Sequence, residues 1–208
     1  MKTGLKFRKL IFTFLSVSAG FSSGAYAGEE FGLFVEPGVT YQTQSSTIRN
    51  PAPFNDSTAK VDGFGLMGRL GVHVNEVFFV AADARFALPN YRDTAVNYDT
   101  SAMEYDLGPS VGVQMPYAGL RVWGTYILTS QLDPKGTSNL DYKFNDGTGY
   151  RIGAGVRLSM VSLNLEYQRI KYASTTFENA AFFTNKNTDA IKFDGEAWIA
   201  SVSFPLEL

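Results

Sequence analysis

The chain lacks cysteine and contains one histidine, His73. Without cysteine it forms neither disulfides nor thiolate sites, and a single histidine argues against a dedicated transition-metal site. Beyond residue 27, no segment reaches the roughly 18 consecutive apolar residues that a membrane-spanning helix needs. No proline-rich or serine-rich linker divides this part of the chain. The sequence therefore predicts a single domain with no cofactor and no resident metal ion.

The first 27 residues have the composition of a secretory signal peptide. They open with four basic residues, Lys2, Lys6, Arg8 and Lys9. An apolar run from Leu10 to Val17 follows, and Ala25-Tyr26-Ala27 forms a small-residue cleavage pattern. We therefore predict a signal peptide at 1–27 and a mature domain at 28–208. Cleavage would remove four positive charges from a chain of formal net charge −2, and an acidic mature chain argues against nucleic acid as a partner.

Alternation of apolar and polar residues with a period of two dominates the mature chain, and no helical period competes with it. This alternation predicts eight strands, at 31–42, 61–73, 77–88, 102–114, 117–128, 148–159, 161–172 and 198–208. Three predicted connections are short, at 74–76, 115–116 and 159–160. Four are long and polar, at 43–60, 89–101, 129–147 and 173–190. Short turns on one side and long loops on the other are typical of an up-and-down barrel in an outer membrane.

The polar face of the predicted strands is rich in glycine and in charges of both signs. A soluble barrel of the lipocalin type would place the apolar face inside, but glycine on an exposed face would weaken its strands. A narrow eight-stranded interior needs small residues beside large ones. The bases on this face are all arginine, which suits paired and partly buried charges. We predict a charge network in the lumen, formed by Glu36, Arg69, Asp83, Arg85, Glu104, Asp106, Arg121, Arg151, Arg157 and Glu166.

One aromatic residue on the apolar face of each predicted strand indicates a membrane interface, where amphipathic rings settle. These residues are Tyr41, Phe64, Phe86, Tyr105, Tyr126, Tyr150, Tyr167 and Trp198. Seven lie near the strand end that meets a long loop, and we expect Trp198 to lie deeper in its strand. The predicted fold is an all-β, eight-stranded, antiparallel up-and-down transmembrane β-barrel. An even number of strands predicts that both termini are periplasmic.

The alternating segment from Ser162 to Gln168 resembles the penultimate strand of small outer-membrane barrels of the OmpX type and of OmpA-like transmembrane domains. The alternation that ends at Leu208 resembles the C-terminal signal read by the barrel-assembly machinery, although Pro205 interrupts it and Phe204 is the nearest aromatic. The resemblance covers the whole mature chain. It implies a monomer in the bacterial outer membrane, in contact with lipid and lipopolysaccharide and assembled by that machinery.

Three functions are open at this stage: a structural barrel with a largely filled polar lumen, an adhesin or receptor acting through its loops, and a narrow pore for small solutes. The candidate contact surface in the long loops consists of Phe54, Tyr91, Tyr98, Phe177, Phe182 and Phe183. Some barrels that resemble this one are enzymes that modify lipid A with a histidine, a serine and a carboxylate. Because His73 is predicted at the short-turn side and facing inward, we expect no enzyme.

Overall fold

The computed structural model describes residues 31–75, 77–95, 97–115, 118–136, 140–180 and 186–208. The predicted signal peptide at 1–27 lies outside these residues, so it stays a prediction. Within the described ranges no helix is long and apolar enough to cross a membrane. The regular structure in these ranges consists of eleven strands. They are β1 (Phe31–Arg49), β2 (Ser57–Val74), β3 (Phe78–Asp93), β4 (Tyr98–Gln114), β5 (Leu120–Ile127), β6 (Thr129–Pro134), β7 (Leu140–Leu158), β8 (Val161–Ala180), β9 (Lys186–Thr188), β10 (Lys192–Ser203) and β11 (Leu206–Glu207).

The strands form a closed antiparallel ring. Each long strand pairs with its neighbour in the chain, and β10 pairs with β1 to complete the barrel. β5 and β6 occupy one position in the ring, because β4 pairs first with one and then with the other. β9 adds to the end of β8, and β11 pairs with the start of β1. The ring therefore has eight positions, which confirms the predicted all-β, eight-stranded, up-and-down barrel.

The two ends of the barrel differ in their connections. At one end, which we call the short-turn end, β2 joins β3, β4 joins β5, and β7 joins β8. Asn75 and Ser159 have positive φ angles of 52° and 60° there, a conformation that asparagine tolerates better than most residues do. The first described residue, Phe31, and Leu208 lie at the same end, because β11 pairs with the start of β1. The opposite end carries the connections that were predicted to be long, and we call it the long-loop end.

The predicted loop lengths were wrong, because most of the residues assigned to loops are strand. β1 runs to Arg49 and β2 starts at Ser57, so that connection is 50–56 rather than 43–60. The β3–β4 connection is 94–97 rather than 89–101. The strands therefore continue past the aromatic residues, and we call this continuation toward the long-loop end the extension.

Apolar side chains change sides where the extension begins. On β1, Tyr41 points outward with 45% of its surface exposed, whereas Ile48 points inward and is 5% exposed. The alternation keeps its phase, but the outward positions become polar and the inward positions apolar. The inward residues form what we call the extension cluster: Ile48, Ala59, Val61, Tyr91, Tyr98, Ala102, Ile127, Leu132, Tyr142, Phe144, Ile170, Tyr172 and Phe193. The extension therefore has the arrangement of a soluble β-barrel, with its apolar residues inside. The rest of the barrel has the reverse arrangement, with its apolar residues outside.

Glycines on the inner face make room for large side chains. A Cβ atom at Gly153 would lie 2.4 Å from Cε2 of Trp123, and one at Gly112 would lie 2.4 Å from Cζ of Phe79. Both aromatic side chains are buried inside the barrel. Small residues on one strand thus face rings on the next, as the narrow interior requires.

Candidate functional site in the barrel interior

The carboxylate of Glu36 on β1 binds an arginine from the opposite side of the barrel. Nη1 of Arg121 donates to Oε1 of Glu36 and Nη2 donates to Oε2, both at 2.8 Å. The hydroxyl of Ser203 donates to the same Oε1 at 2.6 Å. This is the two-pronged geometry in which an arginine–carboxylate pair is strongest. The pair joins β1 to β5 through the centre of the barrel.

Asp83 on β3 is shared by three arginines. Nε of Arg69 donates to its Oδ2 at 2.7 Å. Nη1 of Arg151 and Nε of Arg85 approach its Oδ1 at 2.9 and 3.3 Å. Asp83 is fully buried, so the surrounding guanidinium groups replace the water that would otherwise solvate its charge.

Glu166 on β8 binds two of these three arginines through their remaining nitrogen atoms. Its Oε1 accepts hydrogen bonds from Nη2 of Arg69 at 2.9 Å and Nη2 of Arg85 at 2.7 Å. The indole Nε1 of Trp123 donates to the same oxygen at 2.9 Å. The guanidinium of Arg69 lies 4.4 Å from the centre of the Trp123 ring, where a cation–π interaction adds to the ion pair.

Arg151 on β7 completes the network toward the long-loop end. Its Nη2 donates to Oδ2 of Asp106 at 2.7 Å, and its Nε donates to Oε1 of Gln168 at 2.8 Å. The structure thus brings together eight of the ten predicted lumen charges: Glu36, Arg69, Asp83, Arg85, Asp106, Arg121, Arg151 and Glu166. We call these eight residues the central network. Its four arginines and four carboxylates balance in charge.

The central network consists of ion pairs and hydrogen bonds between side chains of different strands. Each carboxylate accepts at least one hydrogen bond from a guanidinium group, and Oδ1 of Asp106 is buried without a hydrogen-bond partner among the described residues. Across the described ranges there is no group of three or more histidine, cysteine, aspartate or glutamate side chains placed to hold a metal ion. What the arrangement can do is tie strands on opposite sides of the barrel to one another.

Comparison with known proteins agrees with this architecture. The family model described as outer membrane protein beta-barrel domain matches residues 12–204, nearly the whole chain. The chain belongs to this family of outer-membrane β-barrels. The match confirms the predicted resemblance to small eight-stranded barrels and places the protein in the bacterial outer membrane. No protein with a curated description matches the sequence.

Several solved structures are similar to this chain at low sequence identity, and one of them has a TM-score above 0.5. The outer membrane protein OprG from Pseudomonas aeruginosa is 11% identical, with 86% of this chain and 98% of that chain covered and a TM-score of 0.52. Neisserial surface protein A is 12% identical, with coverage of 83% and 96% and a TM-score of 0.46. Ail from Yersinia pestis is 10% identical, with coverage of 85% and 99% and a TM-score of 0.45. At 11% identity the likeness to OprG concerns the fold alone.

Two predicted lumen charges of this outer-membrane barrel lie apart from the central network. Glu104 is buried nearer the long-loop end, where it accepts hydrogen bonds from Nε2 of Gln42 at 2.5 Å and the hydroxyl of Tyr172 at 3.3 Å. Among the described residues it has no basic partner within ion-pair distance. Arg157 lies at the rim of the short-turn end and pairs with Glu207 at 3.0 Å. The sequence pattern could not separate these two residues from the network, because they share its face.

The eight predicted belt residues lie on the outer wall of the barrel. Seven are more than a third exposed and Tyr167 is partly buried. Trp198 lies directly opposite Tyr167 in the β8–β10 pairing, so the expectation that it lies deeper was wrong. The rings of Tyr167 and Trp198 are 5.4 Å apart, and those of Tyr41 and Phe64 are 5.0 Å apart.

The predicted contact surface in the loops needs correction. Tyr91 and Tyr98 are 0% and 6% exposed and belong to the extension cluster, so they are not on the surface. Phe177 is partly buried against the same cluster. Phe54 is 70% exposed in the β1–β2 connection. Phe182 and Phe183 lie outside the described residues.

His73 lies inside the short-turn end, as its alternation predicts. Its ring centre is 4.4 Å from that of Phe34, and its Nε2 is 3.7 Å from Oε1 of Glu207. His73, Phe34 and Phe79 occupy the interior next to Arg121, whereas Glu207 is exposed at the rim.

Trp123 and Gln168 are interior residues that the prediction missed. The sequence pattern places both on the polar face of their strands. The predicted network included only charged residues, so it omitted these two. A tryptophan at a polar-face position, opposite a glycine of the next strand, is the signal that identifies a buried ring.

Proposed function

We propose that this outer-membrane barrel is a structural envelope protein with a closed interior and no catalytic role. The observation that carries the proposal is the burial of Arg69 and Arg151, whose side chains are 0% exposed while they bind carboxylates on several strands. Eight strands leave an interior just wide enough for side chains to fill. Ion pairs that cross this space occupy the route a solute would take.

Two further layers support a closed interior. Toward the long-loop end, the extension cluster places Tyr91, Phe144 and Phe193 inside the barrel with at most 1% of their surfaces exposed. Toward the short-turn end, Phe34 and Phe79 are buried to the same degree. An ion that moved along the barrel axis would have to pass the apolar extension cluster, then the charged central network, and then the apolar layer at the short-turn end.

Conductance in planar lipid bilayers tests this proposal. We expect no stable conductance step from the purified barrel. Its folded state is checked in the same preparation by the faster migration of the unboiled barrel on a gel. A reproducible conductance of a large pore would contradict the closed interior. Small, well-resolved steps would instead favour the narrow-pore function.

We further propose that the long-loop end faces outward from the cell and that both termini are periplasmic, as is usual for barrels with short turns on one side. The absence of cysteine makes the test simple, because a single introduced thiol is unique. A Phe54→Cys variant should react with a membrane-impermeant maleimide on intact cells. A Ser159→Cys variant should react only after the outer membrane is opened, and the reverse pattern would overturn the orientation.

An adhesin or receptor function is supported by one specific observation. Phe54 is exposed on a connection that is held in shape, because Nδ2 of Asn50 donates to the carbonyl of Asn55 at 2.8 Å and the amide of Phe54 donates to the carbonyl of Pro51 at 3.1 Å. A rigid exposed ring is a typical anchor in protein recognition. A Phe54→Ser variant that folds normally but loses attachment of expressing cells to a host surface would favour this function.

A further inference from the structure

Glu104 is a buried carboxyl group without an ion-pair partner among the described residues. Its side chain faces inward on β4, and the residue is 2% exposed. Every carboxylate of the central network forms an ion pair, and the charges of that network balance without Glu104. An ionised Glu104 would therefore add an uncompensated negative charge to the barrel interior, which is costly away from water.

Glu104 lies in the extension, just beyond the aromatic belt. It precedes the belt residue Tyr105 by one position on the long-loop side. Its register partner on β6 is Leu132, and the hydroxyl of Tyr172 on β8 donates to its Oε1 at 3.3 Å. Leu132 and Tyr172 both belong to the extension cluster. Glu104 therefore lies where the apolar core of the extension meets the polar interior.

The side chains that contact Glu104 from neighbouring strands are neutral. Nε2 of Gln42 on β1 donates to its Oε2 at 2.5 Å, and Tyr172 donates to its Oε1. The hydroxyl of Ser130 on β6 lies 2.9 Å from that of Tyr172. On β3 the residue opposite Glu104 is Ala87. Hydrogen bonds from neutral donors stabilise a carboxylate less than those from a guanidinium do, so these contacts do not replace a counter-ion.

Two charged side chains act on Glu104 from nearby, and neither compensates it fully. Asp106 is two residues further along the inner face of β4, and its negative charge opposes ionisation of Glu104. Arg151 on β7 favours ionisation, but its guanidinium already binds Asp83, Asp106 and Gln168. Oδ1 of Asp106 is buried and has no hydrogen-bond partner among the described residues. The inner face of β4 thus holds a carboxyl group without a counter-ion and a carboxylate oxygen without a donor.

We propose that Glu104 is a proton-binding site of the folded barrel and makes the stability of the extension depend on pH. With the proton bound, the carboxyl group is neutral and can donate a hydrogen bond, for which Oδ1 of Asp106 is an acceptor that lacks a donor. When the proton leaves to the solvent, Glu104 and Asp106 are both negative and share the field of Arg151. This goes beyond the proposed structural function, because proton binding and conductance are measured independently.

The bound proton stabilises the folded barrel at acidic pH. Burial raises the pKa of the Glu104 carboxyl to about 7, and the charge of Asp106 adds to the rise, against the hydrogen bond from Gln42. In the unfolded chain a glutamate has a pKa of about 4.3. The folded barrel therefore holds this proton more tightly than the unfolded chain does. The resulting stabilisation is complete below about pH 4 and is lost as the pH rises to about 7.

Urea unfolding of the purified barrel in detergent micelles, followed by loss of the fast-migrating band from about pH 4 to about pH 8, tests the proposal. The test variant is Glu104→Gln, which keeps the size of the side chain and a hydrogen-bond donor but cannot ionise. The matched control is Glu196→Gln, which removes the same charge from an exposed position on β10. As a second readout, infrared spectroscopy of the folded barrel detects a protonated carboxyl group directly.

Between about pH 4 and about pH 8, the unfolding constant of the parent should rise relative to that of Glu104→Gln by roughly a hundredfold or more. The reason is that the parent loses about tenfold in stability for each pH unit between the unfolded and the folded pKa of Glu104. The control should follow the pH profile of the parent to within about twofold. At about pH 6 the parent should show the infrared band of a protonated carboxyl group, and Glu104→Gln should lack it.

Parallel pH profiles of the parent and Glu104→Gln would overturn the proposal, and so would a parent without that infrared band. A parent that gains stability relative to Glu104→Gln as the pH rises would also overturn it, because a bound cation would then compensate an ionised Glu104.

Discussion

Glu36 on β1 and Arg121 on β5 face each other through the interior and share two hydrogen bonds of 2.8 Å, although they are 85 residues apart in the chain. Both side chains are almost completely buried. The pair therefore links two strands that are far apart in the sequence. Disulfides make such links in many exported proteins, but this chain has no cysteine. Its contribution rests on both charges being present, because a buried charge that loses its partner is strongly destabilising.

A Glu36→Gln variant should be much less stable than the parent barrel. Glutamine keeps the size of the side chain but removes the charge that compensates Arg121, and the loss should be about 3–5 kcal/mol in the free energy of unfolding. Urea unfolding in detergent micelles, followed by loss of the fast-migrating band, measures the change. A loss below about 1 kcal/mol would show that water, rather than Glu36, compensates Arg121.

A Glu104→Gln variant should behave in the opposite way. Glu104 is buried to the same degree as Glu36, but its contacts are Gln42 and Tyr172 rather than an arginine. An amide can keep both hydrogen bonds and brings no charge into the interior, so we expect a change within about 1 kcal/mol or a gain in stability. The same urea experiment measures it. A loss as large as that of Glu36→Gln would mean that a cation absent from the described contacts holds Glu104.

The sequence predicted the membrane-spanning part of this barrel well because its two sides meet different solvents. Lipid outside and a narrow polar interior impose the alternation on every strand, and local patterns are enough to read it. Burial of the central network could be expected from that alternation, but its partners could not. Asp83 binds Arg69, Arg85 and Arg151 from several strands, and such distances depend on register around the whole ring.

The extension was predicted less well because its apolar residues point inward, whereas those of the membrane-spanning part point outward. The alternation of inward and outward positions itself continues unchanged. Residues such as Thr47 and Lys60 point outward into water, so their segments have the polar composition of a loop. Tyr91 and Tyr98 were accordingly assigned to an exposed surface. They are buried because the barrel wall continues past the aromatic belt and encloses its own apolar core. An apolar residue at every second position of a polar segment is the local signal for such a continuation.

The tyrosines of the extension should make the fold sensitive to alkaline pH. Burial raises the pKa of Tyr91 and that of Tyr142, and Tyr142 donates a hydrogen bond to Tyr91 at 3.2 Å. An unfolded tyrosine ionises near pH 10, whereas these two stay neutral in the folded state. Their contribution is therefore complete below about pH 10 and falls above it, by about 1.4 kcal/mol per pH unit for each residue.

Absorbance of tyrosinate and stability measured over the same alkaline range check this expectation. Part of the tyrosinate signal should appear only as the barrel unfolds. A Tyr91→Phe/Tyr142→Phe variant should lose part of that late signal and show a weaker loss of stability with pH. Complete titration of the parent while it remains folded would show that water reaches these hydroxyls.

A Gly153→Ala variant should be destabilised by about 1–3 kcal/mol, which is the usual penalty for overfilling a packed interior. The added Cβ would lie 2.4 Å from two ring carbons of Trp123, so the indole must move away from Glu166. The matched control is Gly124→Ala on β5, where no heavy atom lies within 4 Å of the added Cβ. This control should gain up to about 1 kcal/mol, because alanine loses less backbone entropy than glycine in a strand. Urea unfolding measures both variants, and Trp123 fluorescence in a Trp198→Phe background reports the movement of the ring. Equal stability of the two variants would mean that the interior around Trp123 relaxes freely, which would count against tight packing beside the central network.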